Sequence, residues 1–114
     1  MGSNYFASVL VVLRLFTATI YDITHLAEYK DPEGRRRDLY RITLRHGSVR
    51  NSEPQPRGTV EHVTVISGSV CLGPSGSTVD LSPGYYFRYP ADVPHSYEAV
   101  SESTIFLLAI ESVN

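Results

Sequence analysis

The chain has 114 residues and 42% of them are apolar, which is one domain's worth of sequence with enough apolar side chains for one core and excludes global disorder. A net charge of −2 and a pI near 6.0 give it no electrostatic footing on nucleic acid. One cysteine, Cys71, rules out an intrachain disulfide and favours a cytoplasmic protein.

In chain order, Met1-Gly2-Ser3 has the composition of a cloning remnant. The apolar stretch from Tyr5 to Ile20 is too short to cross a bilayer and is interrupted by Arg14. No basic region precedes it, so it does not read as a signal peptide. Its Val, Leu and Phe content predicts a buried strand and no membrane association. The run Arg35-Arg36-Arg37 follows the turn signal Asp31-Pro32-Glu33-Gly34 and reads as a solvated loop or strand end.

From there the pattern is β throughout. Leu39 to Arg45 alternates, with Tyr40, Ile42 and Leu44 on one face. Asn51 to Gly58 carries two prolines and reads as a loop or irregular edge. Val60 to Ser67 puts Glu61, Val63 and Val65 on one face and His62 on the other. Gly68 turns the chain into Ser69 to Leu72, where Cys71 is expected as a buried structural thiol. Gly73 to Ser77 is a hairpin loop, Thr78 to Leu81 returns, and Ser82-Pro83-Gly84 turns into Tyr85 to Tyr89. Pro90 to Pro94 is a rigid connection before His95 to Val100 and Thr104 to Glu111. Short strands with evenly spaced turn signals predict a sandwich or barrel. His25 and His46 fall near predicted strand ends, where surface positions are expected.

Two segments resemble the paired motifs of the cupin superfamily. Glu61 to Gly68 is similar to the end of the first motif, a glutamate followed by six residues and a glycine. Gly84 to His95 is similar to the second, with Pro90 and then His95 at the family's spacing. The motif-like regions are 47–68 and 84–99. Ser52-Glu53-Pro54, Gly58 to Val63 and Phe87 to His95 further resemble the sensor domains of bacterial regulators that join a helix-turn-helix to a cupin. The resemblance implies an all-β, double-stranded β-helix of the RmlC-like jelly-roll type, with residues 1–114 as one cupin domain.

It also implies where a metal would sit. Cupins that bind a divalent ion use three histidines and a glutamate. Here Glu61 and His95 occupy two of those positions, while the other two fall at Glu53 and Gln55. The second motif departs further at Asp92, where glycine is usual, and at Ala99, where asparagine is usual. Glu53, Gln55, Glu61 and His95 form an imidazole-poor set that suits first-row metals badly. No cofactor is therefore predicted, and Glu61 and His95 are expected to form a hydrogen-bonded pair in a polar pocket, each satisfying the other. Tyr97 shares the face of His95, and Phe87 and Tyr89 share a face of their own strand.

The expected function is small-molecule binding, as the effector domain of a helix-turn-helix transcriptional regulator. Gln55, Glu61, His95 and Tyr97 are the expected ligand-binding residues, with Tyr40, Phe87 and Tyr89 as walls. DNA would be reached only through a helix-turn-helix outside these 114 residues. A homodimer is expected, and the apolar run Val9 to Leu13 would either fold onto its own sheet or pair with the partner's sheet. The alternatives are a small cupin enzyme, a metal-dependent dioxygenase or isomerase using His95, and a dimerisation module with a filled barrel.

Overall fold

The computed structural model describes residues 20–45 and 49–113. The apolar N-terminal run assigned to a strand and dimer contact, and His46, lie outside them. The described residues form nine strands: β1 (Ile20–Lys30), β2 (Arg35–Arg45), β3 (Val49–Ser52), β4 (Val60–Ser67), β5 (Val70–Pro74), β6 (Val79–Leu81), β7 (Tyr86–Pro90), β8 (His95–Ala99) and β9 (Ser103–Val113). They form a five-stranded sheet in the order β1-β2-β9-β4-β7 and a four-stranded sheet in the order β3-β8-β5-β6. All paired strands run antiparallel. This is the predicted all-β jelly roll.

Alternation decides which side chains meet between the sheets. On β2, Arg36, Asp38, Tyr40, Ile42 and Leu44 are buried, while Arg37, Arg41 and Arg45 face out. On β4 the buried set is Glu61, Val63 and Val65, and on β9 it includes Thr104, Phe106, Leu108 and Ile110. Register then lines them up across the larger sheet. Asp38, Ile110, Glu61 and Tyr89 form one inner row; Tyr40, Leu108, Val63 and Phe87 form the next. Val70, Leu72, Leu81, Tyr97 and Ala99 face them from the smaller sheet.

Several expectations are corrected. The strand expected from Leu39 begins at Arg35, so the arginine run is a strand end, one of its two expected places, but it is not solvated throughout. Arg36 is only 5% exposed. Its Nε donates to Asp38 Oδ2 at 2.8 Å, and its Nη2 donates to Glu28. The Asp38 hydrogen bond holds the guanidinium above its already high ordinary value, against the opposing effect of burial. His25 is half-buried in β1, with Nε2 3.2 Å from Asp38 Oδ1. Cys71 is half-buried, not buried, between Asp80 and Glu98 on the neighbouring strands. Asn51 and Ser52, at the start of the segment read as a loop or irregular edge, end the edge strand β3 and pair regularly with β8.

The outer face of the large sheet carries a clasp centred on Glu111. Arg35 donates to Glu111 Oε2 through Nε at 3.0 Å and Nη2 at 2.7 Å, and Arg37 Nη2 reaches the same oxygen at 3.3 Å. His62 Nε2 lies 3.1 Å from Oε1, and its Nδ1 is 2.6 Å from Tyr86 Oη. The hydrogen bond from Arg35, then that from His62, lowers the Glu111 carboxyl to about 2. A depressed folded-state value stabilises above the ordinary carboxyl range, and that stabilisation is lost as pH falls through about 2. Arg35 and Arg37 are partly exposed, so screening leaves about 1–2 kcal/mol at pH 7. Glu111→Gln is therefore expected to lower the unfolding free energy by about that amount at pH 7. The difference should shrink towards zero on acidification to pH 2, followed by urea titration across the series.

Candidate functional site

Five side chains converge on the inner face between the sheets. β4 supplies Glu61, fully buried, and β7 supplies Tyr89 from the directly opposed position. β8, in the other sheet, supplies His95 and Tyr97, two residues apart and so on one face. The loop after β3 supplies Gln55, whose backbone N–H is anchored to the Ala91 carbonyl at 2.9 Å.

Glu61 is the hub. Tyr89 Oη donates to Glu61 Oε1 at 2.5 Å, and Tyr97 Oη donates to the same oxygen. Gln55 Nε2 donates to Glu61 Oε2. The two phenol oxygens are 3.3 Å apart. Burial pushes both tyrosines well above their ordinary value of 10, and the Glu61 charge pushes the same way. Both phenols are therefore neutral donors at any physiological pH.

His95 is buried with its ring 5.5 Å from Tyr97, edge-on, and 6.2 Å from Tyr89. Its Nδ1 lies 2.8 Å from the Val93 carbonyl oxygen, which can only accept, so Nδ1 carries the hydrogen. Nε2 is buried with no hydrogen-bond partner, so the expected Glu61–His95 pair does not form: both Glu61 oxygens are taken by Tyr89, Tyr97 and Gln55 instead. Ser52 pairs directly with His95 across β3 and β8, and its buried Oγ also lacks a partner. Such groups are uncommon in folded proteins.

The expected binding residues thus divide. Gln55, Glu61, Tyr89, Tyr97 and His95 come together, and the Phe87 ring packs 5.4 Å from that of Tyr89. Tyr40 is buried in the adjacent inner row, its ring 5.0 Å from His25. Glu53, one of the four positions considered for a metal, is exposed and stays outside the group. Ser52 went unrecognised because its segment read as irregular; its place opposite His95 becomes visible only once β3 is paired.

A model of the cupin domain (Cupin_2) matches residues 40–111. This chain belongs to the cupin family. The HTH-type transcriptional regulator SutR of Escherichia coli (strain K12) is 33% identical over 96 residues, covering 78% of this chain. The cupin spans about half of that regulator's length, 53%. Among solved structures, the Cupin_2 domain of an XRE family transcriptional regulator from Enterobacter cloacae superposes with a TM-score of 0.67 at 26% identity. That match covers 82% of this cupin and 96% of the other chain. An HTH_3 family transcriptional regulator from Vibrio cholerae superposes with a TM-score of 0.72 at 23% identity, over 89% of this cupin and 59% of that chain.

The donors present do not fit the metal site that the fold implies. Among the described residues no three of His, Cys, Asp and Glu come together as a metal-holding group. Both oxygens of Glu61 are already hydrogen-bonded to neutral protein donors, and one imidazole alone remains. Among the described residues no helix is long and apolar enough to cross a membrane.

Proposed function

We propose that this cupin is the effector-sensing domain of a helix-turn-helix transcriptional regulator. It binds a small molecule between its sheets, without a metal, and acts as a cytoplasmic homodimer whose DNA contacts lie in another domain. The observation that carries the binding role is the pair of buried, unpartnered polar atoms, His95 Nε2 and Ser52 Oγ, beside the Glu61 cluster. The regulatory role is supported by the 33% identity to a helix-turn-helix regulator about twice as long as the match. Ligand binding regulates only through different affinity for two arrangements of the protein. A loop pinned to the site by Gln55 is an element whose position a ligand would change.

The test is thermal stabilisation by fractionated small-molecule extract, with native mass spectrometry of the stabilised sample. A fraction that adds a discrete mass and raises the melting temperature of the wild-type protein, with the shift lost in His95→Ala, is the expected result. If no fraction stabilises the wild type, or the shift survives unchanged in His95→Ala, this assignment fails.

A further inference from the structure

Resting on that sensing role, we propose that the ligand is a small organic cation, a protonated amine, whose ammonium group takes the place of the Gln55 amide at Glu61 and donates to His95. Three features of the site converge on this chemistry.

The first is charge. The donors to Glu61 are two phenols and an amide, all neutral, so its negative charge is solvated but not neutralised. Arg36, the buried cation of the inner face among the described residues, is already engaged by Asp38 and Glu28. A cationic ligand gains from that uncompensated charge, and an anionic one is repelled by it.

The second is the inequality of the two carboxylate oxygens. Oε1 takes both tyrosines, which are fixed on strands of opposite sheets. Oε2 takes Gln55, a loop residue that is 9% exposed, the most accessible member of the group. The amide of Gln55 is thus the displaceable donor, and an N–H of the ligand is its chemical equivalent.

The third is the polarity of what is left unsatisfied. With Nδ1 donating to Val93, His95 in its neutral form offers a bare lone pair at Nε2. Ser52 Oγ, across the strand pair, offers two more. An ammonium carries three N–H donors, enough for Glu61 Oε2, His95 and Ser52 together. The rings of Tyr89 and Tyr97, centred 6.2 and 5.5 Å from that of His95, add aromatic neighbours of the kind that attract a cation.

Calorimetric titration with n-butylammonium chloride, 1-butanol and sodium butyrate, which share one body and differ in charge, tests the class. Butylammonium should bind at least tenfold more tightly than butanol, with no binding of butyrate. Gln55→Ala should tighten butylammonium several-fold by removing its competitor, and Glu61→Gln should weaken it at least tenfold. Because Glu61→Gln changes the hub, the Gln55→Ala result alone can decide: unchanged or weaker binding there overturns the proposal. Butanol or butyrate binding as tightly as butylammonium also overturns it. If an extract fraction stabilises the protein while butylammonium does not bind, the ligand class is wrong and the sensing role stands. If neither the extract nor any probe binds, both fall.

Discussion

Glu61→Ala is expected to lower the unfolding free energy by about 3–5 kcal/mol, the cost of leaving up to three buried neutral donors unpaired. The substitution removes the acceptor of three donors at once: the Tyr89 and Tyr97 phenols and the Gln55 amide. Each buried donor left without a partner costs about 1–3 kcal/mol. The phenols, 3.3 Å apart, can recover part of this by bonding each other. Glu61→Gln keeps an acceptor oxygen and should cost less, about 1–2 kcal/mol. Urea unfolding with an unchanged denaturant slope measures both. A loss below about 1 kcal/mol for the alanine variant would show that Glu61 does not organise the cluster.

Gly68→Ala should destabilise the fold by about 3 kcal/mol, from left-handed strain and overpacking together. Gly68 turns β4 into β5 at a φ of +75°, a conformation that side chains disfavour. Here space adds to strain, because a Cβ would lie 2.2 Å from the Ser103 carbonyl oxygen and 2.9 Å from Thr104 Cα. Backbone on the facing strand cannot move aside without disturbing β9. Gly76 provides the control. Its φ of +84° is similar, yet a Cβ there meets nothing within 4 Å. Gly76→Ala should therefore cost only about 1–2 kcal/mol. Equal losses at the two positions, by thermal unfolding, would mean that contact with Ser103 is not what restricts residue 68.

The strands with clean alternation were legible from residues alone. Leu39 to Arg45 and Val60 to Ser67 each put one apolar face inward, and both faces are as expected. β1 was not legible, and the reason is in its register. Irregularities between Ile20 and Asp22 and between His25 and Ala27 insert extra residues, so no period of two runs through the strand. The arginine run misled for a different reason. A buried Arg36 depends on Asp38 two residues on and on Glu28 across the sheet, and the second partner is invisible until β1 is paired with β2. The site followed the same division. Glu61 and His95 came from motif spacing, and Tyr97 from sharing a face with His95. That both tyrosines would meet one oxygen of Glu61 depends on how close the two sheets lie, which no local pattern encodes.

The position of β9 has a consequence for synthesis on the ribosome. It is the middle strand of the five, hydrogen-bonded to β2 on one side and β4 on the other, yet it comes last in chain order. A nascent chain that has not yet released Ser103 to Val113 holds β2 and β4 with no strand between them. Their apolar inner faces, Ile42, Leu44, Val63 and Val65 among them, then have no Phe106 or Leu108 to pack against. Closure must wait for contacts spanning some seventy residues, which slows folding and lengthens the exposure of open strand edges. For this domain the hazardous interval is the time before the last strand emerges, when chaperone protection matters most.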